Sequence, residues 1–157
     1  FGKVGSEGQK VFLNKTDEEI LDAGEERDRK HIKDKLGINV PKLIYKPEGM
    51  EYETYELDDK IQRAKMEYLT KDEKYYYVYM NKKSVDTQEV MEIDGKVVDQ
   101  HLLSVKYLEK GVKVEHIEEE NGKSLYKADF YYNNVYYLFI GEMEKEEFDE
   151  IIKKMIF

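Results

Sequence analysis

Three histidines, His31, His101 and His116, are the first residues to weigh for chemistry, and none has a metal-binding pattern around it. His31 lacks a second histidine one helical turn away, and His101 and His116 fall in separate strand regions with no adjacent second ligand. All three are expected to be structural. Ser6, Ser84, Ser104 and Ser124 lack the G-x-S-x-G elbow that exposes a serine nucleophile, and no cysteine stands in for them. The glycines between Gly2 and Gly8 have neither the spacing of a phosphate loop nor a strand before them, so they read as a loose chain end. Asn14-Lys15-Thr16 matches a glycosylation acceptor, but Thr16 has a simpler use as a helix cap. Acid/base catalysis needs two carboxylates held in one pocket. Glu118-Glu119-Glu120 reads instead as a solvated hairpin tip, and Glu142 to Glu147 as charge placed favourably at a helix N-terminus. Hence no catalytic residue, no metal and no cofactor are expected, and an enzyme, such as a hydrolase with paired carboxylates, is the least supported class.

Tyrosine carries the chemistry that remains. In Tyr75-Tyr76-Tyr77-Val78-Tyr79-Met80, strand alternation sends Tyr75, Tyr77 and Tyr79 to one face and Tyr76, Val78 and Met80 to the other. If helices cover only the second face, the three tyrosines line an open surface. Such a row suits a peptide, a glycan or an apolar ligand, because each ring offers stiff contact area and a hydroxyl. The other reading is cross-strand packing within a curved sheet.

The balance of 26 Lys+Arg against 35 Asp+Glu gives a net charge of -9, with the cations scattered among carboxylates. Nucleic acid is therefore not an expected partner, since phosphate binding needs a concentrated cationic face. Arg27, Arg29 and Arg63 are the only arginines. The longest apolar runs, Tyr75 to Met80 and Val135 to Ile140, are too short to span a bilayer. The chain begins at Phe1 rather than Met, as a processed precursor or a truncated chain would, so anything upstream of Phe1, a membrane anchor included, is not visible in it.

The elements that must position the tyrosines are legible as a change of period. Residues 1–16 form a loose leader, and 17–157 one α+β domain. Thr16 with Glu19 makes a capping box for a helix from Asp17 to Leu36, whose polar Glu25 to Lys30 stretch is expected to face solvent. Gly37 ends it, and Pro41 bars continuation. Beyond Pro47-Glu48-Gly49 the period drops from near 3.6 to 2, giving strands at 50–57, 61–69, 74–80, 112–118, 124–132 and 135–140. Asp94-Gly95, Asn121-Gly122 and Asn133-Asn134 read as tight hairpin turns, so the strands are antiparallel. The last hairpin is apolar almost throughout and should be central. Glu144 to Met155 is an amphipathic helix with Phe148, Ile151, Ile152 and Met155 on its apolar face. The expected fold is a curved antiparallel sheet of several hairpins with an N-terminal helix and a C-terminal helix packed on it.

Three segments carry a family likeness. They are Leu36-Gly37-Ile38-Asn39-Val40-Pro41 running into Tyr45-Lys46-Pro47-Glu48-Gly49-Met50, the Asp94-Gly95 turn, and Tyr136 to Gly141 followed by Met143-Glu144-Lys145-Glu146-Glu147-Phe148. Together they resemble the bacterial domain-of-unknown-function family numbered 4367, over roughly Asp17 to Phe157. The resemblance implies the extracytoplasmic part of a single-span membrane protein of a Gram-positive-type bacterium, akin in some members to anti-sigma-factor architectures. It transfers no catalytic residue, and Pro47, Gly49 and Gly141 come over as fold markers only. The function expected is a non-catalytic sensing or interaction domain for a protein, peptide or cell-envelope ligand. The alternative is a carrier for an apolar or glycan ligand held by the sheet.

Overall fold

The computed structural model describes residues 17–82 and 95–157, the side chains of 17–22 excepted. The expected cap at Thr16, the leader 1–16 and Asp94 of the Asp94-Gly95 turn lie outside the described residues. The first element is α1 (Asp17–Leu36), closed by Gly37, whose φ of +66° suits a residue without Cβ and whose N–H bonds the Lys33 carbonyl at 2.8 Å. Next come β1 (Lys42–Leu43), β2 (Glu51–Asp58), β3 (Arg63–Leu69), β4 (Tyr75–Asn81), β5 (Gly95–Val105), β6 (Lys110–Glu119), β7 (Ser124–Tyr132) and β8 (Val135–Gly141). The chain closes with α2 (Lys145–Lys153) and β9 (Met155–Ile156).

Seven strands form one open antiparallel sheet in the order β2-β3-β4-β8-β7-β6-β5. The expected α+β fold is thus present, with a helix at each end of the chain. The last helix is shorter than its periodicity suggested. Met155 leaves it because Met155 and Ile156 pair with Leu43 and Lys42 in a separate two-stranded ribbon.

Turn chemistry explains most of the connections. Asn133 and Asn134 take φ of 50° and 64°, as a two-residue hairpin with the twist of its strands requires. Gly49 has φ of +80° in a turn closed by the Met50 N–H on the Pro47 carbonyl at 3.0 Å. The turn at Asn121-Gly122 differs from expectation. Only Gly122 is left-handed there, at φ +88°, while the Asn121 side chain accepts the Lys123 N–H at 2.9 Å. The side-chain bond does locally what a second left-handed residue would have done.

β8 is buried along its whole length, as its central place demands. Both helices pack on one face of the sheet. Ile32 and Leu36 of α1 and Phe148, Ile151 and Ile152 of α2 join Tyr68, Tyr76, Val78 and Phe139 in a single core. The polar middle of α1 faces solvent only in part: Glu26, Arg27 and Lys30 are exposed as expected, but Glu25 and Asp28 are not. Glu25 and Asp28 are only 4% and 8% exposed, because the tyrosines beneath them supply hydroxyl donors. Tyr68 donates to Glu25 Oε2 at 2.6 Å, Lys46 to Glu25 Oε1 at 2.6 Å, and Tyr52 to Asp28 Oδ2 at 2.7 Å. A buried carboxylate with such partners is satisfied rather than penalised.

Candidate functional site

With both helices on the Tyr76 face, β4 presents its other side chains to a face that carries no helix among the described residues. Tyr76 and Val78 are 0% exposed, whereas Tyr75 is 50% exposed and Tyr77 and Tyr79 are half-buried. The three tyrosines singled out in the sequence therefore do stand together on the open face. Tyr75 and Tyr77 stack with ring centroids 5.6 Å apart and planes 5° from parallel, and Tyr79 continues the row 6.0 Å further at 51°.

Neighbouring strands frame the row. β3 places Lys65 opposite Tyr79, with its ammonium 5.1 Å from the Tyr77 ring and 6.0 Å from that of Tyr79. The same ammonium lies 3.1 Å from both Glu56 and Glu67. Partial burial alone would lower the Lys65 pKa, but hydrogen bonds to Glu67 and Glu56 outweigh it and raise it, so Lys65 stays charged. Burial first, and then nearby carboxylates, raise the Tyr77 and Tyr79 phenols, against the lowering effect of Lys65. Both hydroxyls remain protonated at neutral pH and can donate as well as accept.

On the other side, β8 sets Ile140 against Tyr77 and Leu138 against Tyr79. β7 then adds Lys127, paired with Glu115 at 3.1 Å, and Asp129, which accepts the Tyr136 hydroxyl at 2.6 Å. The face thus presents the tyrosine row between two Lys–Glu borders, with Leu138 and Ile140, 0% and 2% exposed, buried beneath it. At one end Tyr79, Ile61, Arg63 and Lys65 line a cleft of about 420 Å³.

The histidines all have partners. His31 hydrogen-bonds Tyr55, and His101 Nε2 donates to the Asp149 carboxylate at 2.8 Å, joining β5 to α2. His116 hydrogen-bonds Ser124 and stacks on Tyr126 at 4.6 Å. That Ser–His contact was not legible in the chain, since it spans two strands. Among the described residues no carboxylate is hydrogen-bonded to the His116 ring, so the orienting third member of a nucleophile triad is missing there. Among the described residues no cluster of His, Asp and Glu could hold a metal ion.

The model of one protein family, described as a domain of unknown function, DUF4367, matches residues 40–155. The chain belongs to the DUF4367 family. The match takes in every strand of the open sheet and all of α2, so the tyrosine row lies within the DUF4367 unit. No curated protein and no solved structure matches the chain. Sequence reasoning found the tyrosines through their period of 2. It missed the buried pairs Glu25–Tyr68 and Asp28–Tyr52, for which the only signal is the spacing of Glu25, Asp28, Ile32 and Leu36 along one face of α1.

Proposed function

We propose that this DUF4367 domain is a non-catalytic interaction domain that holds a protein or peptide partner on the open face of its sheet, with Tyr75, Tyr77 and Tyr79 as the central contacts. One observation carries the reading: both helices lie on the opposite face, leaving Tyr75 50% exposed at the end of a tyrosine row with charged borders. An apolar centre with a polar rim is the anatomy of a protein interface. The ring geometry favours a peptide over a glycan. Sugar rings stack on free aromatic faces, and the nearly parallel Tyr75 and Tyr77 cover each other at 5.6 Å. What remains for a partner is the outer face of Tyr75 together with ring edges and hydroxyls.

A carrier for an apolar ligand has less support, because the layer between sheet and helices is filled by Tyr68, Tyr76, Phe139 and Phe148, each 0% exposed. Placement outside the cytoplasm on a single membrane anchor, with an anti-sigma-like role, rests on likeness to the usual DUF4367 architecture. The upstream part of the gene tests it: an apolar segment of about 20 residues is expected there. A reading frame that opens without one removes the anchor.

The surface itself is tested by replacing Tyr75, Tyr77 and Tyr79 together with Ser. A variant that keeps its circular dichroism and melting transition but loses retention of cell-envelope peptides supports the site. Unchanged retention refutes it, and loss of the fold assigns the row to packing.

A further inference from the structure

Asn121 is the only asparagine of the chain with glycine after it. Asn14, Asn39, Asn81 and Asn134 precede Lys15, Val40, Lys82 and Val135, and Asn133 precedes Asn134. A pair of this kind can do chemistry on itself. The side-chain amide lies within reach of the next backbone nitrogen, and a glycine there brings no Cβ to hinder the approach. Asn121, Gly122 and Lys123 are all exposed, so water and hydroxide reach them.

The hairpin between β6 and β7 decides when that reaction can run. The Gly122 N–H donates to the Glu119 carbonyl at 3.0 Å, and the Glu119 N–H to the Lys123 carbonyl at 2.9 Å. Neither Glu120 nor Asn121 has a positive φ, so with Gly122 at +88° this is a type I turn followed by a left-handed glycine. The second central residue of such a turn has ψ of about 0°, which swings the next nitrogen away from that residue's own Cβ. The Asn121 side-chain oxygen is meanwhile held by the Lys123 N–H at 2.9 Å. Nucleophile and electrophile are each committed to another partner. Both commitments are local to an exposed turn, the part of a fold that opens most readily.

We propose that Asn121 is a site of spontaneous deamidation, at a rate set by opening of the β6–β7 turn. The Gly122 nitrogen loses its proton to hydroxide and attacks the Asn121 side-chain carbonyl carbon. The new N–C bond closes a cyclic imide as the side-chain nitrogen takes up a proton and leaves as ammonia. Water then opens the imide. Cleavage at one carbonyl gives aspartate, and at the other isoaspartate, with the backbone rerouted through the side chain. The isoaspartyl form adds a methylene to the loop between Glu119 and Lys123, which no longer fits the two bonds that close it. The change reaches the wall of a cleft of about 300 Å³ that Gly122 and Ser124 line with Lys71 and Glu142. This inference does not rest on the tyrosine face.

The full chain, folded in mildly alkaline buffer or unfolded in guanidinium chloride at the same pH, is sampled over time, digested with trypsin and analysed by chromatography and mass spectrometry. Digestion in heavy-oxygen water marks any product formed during handling. Peptide 114–123 is expected to gain the mass of an amide turned to an acid in both samples, as two separable products, while the peptides bearing Asn39 and Asn134 stay unchanged. Opening the turn exchanges its bonds for bonds to water, so the folded chain should react about tenfold more slowly. No product at Asn121 in the folded chain overturns the site. Equal rates in the two samples overturn control by the turn.

Discussion

Deleting the Tyr68 hydroxyl tests whether α1 is held to the sheet by a polar network. Tyr68 is 0% exposed and donates to a carboxylate that is 4% exposed, and that carboxylate also holds Lys46 at 2.6 Å. Tyr68→Phe removes one of Glu25's two donors, a bond to a charged group worth about 1.5–3 kcal/mol. Glu25→Leu strands the Tyr68 hydroxyl in the core, at about 1–3 kcal/mol. It also removes the Glu25 partner of Lys46, whose side chain is 22% exposed and can turn to water, so the full cost of breaking a buried ion pair does not apply. Each single variant is therefore expected to lose about 2–3 kcal/mol, which with a urea slope of about 1–3 kcal/mol per M moves the midpoint by roughly 1 M. In the double variant no hydroxyl is left stranded. Its loss should fall short of the sum of the singles by about 1 kcal/mol or more. Urea unfolding of all four proteins, followed by circular dichroism, measures this. Additivity within about 0.5 kcal/mol would refute the coupling.

Alkaline pH should unfold the domain together with its tyrosines. Burial raises the phenols of Tyr52, Tyr68, Tyr76, Tyr107 and Tyr137 above their ordinary value of 10.0. Above that value the unfolded chain releases protons that the folded chain retains. Their contribution to stability is thus complete below about pH 10 and falls as pH rises beyond it, by up to about 1.4 kcal/mol per pH unit for each group. Tyrosinate absorbance from these rings is expected to appear with the loss of circular dichroism, and titration of all the tyrosines before unfolding would contradict it. Gly141→Ala places a Cβ 2.4 Å from Tyr76 Cδ2, against a ring locked in the core, and should cost about 1–3 kcal/mol in urea unfolding. An unchanged midpoint would show that the Tyr76 ring has room to move.

The strands were legible because the chain's period of 2 is enforced by burial on one face. β7 at Ser124–Tyr132 coincides with the expected 124–132, and α1 at Asp17–Leu36 with its expected span. The tyrosine row was legible for the same reason, since Tyr76, Val78 and Met80 fix its facing. Other features depend on partners distant in sequence. Glu25 and Asp28 look like solvent-facing residues until Tyr68 and Tyr52, 43 and 24 positions away, bring hydroxyls to them. The Ser124–His116 contact likewise follows from strand order, which no local pattern encodes. At Asn121 the dipeptide suggested a turn correctly, but a side-chain bond to Lys123 chose a different geometry.

The central claim is that the face bearing Tyr75, Tyr77 and Tyr79 is where a partner docks. A photo-crosslinking amino acid placed at Tyr75, and in parallel at Lys33 on the exposed side of α1, tests it in intact cells of the source organism. A discrete protein adduct from position 75 and none from position 33 is the expected result. Adducts from both positions alike, or none from position 75, would contradict the account.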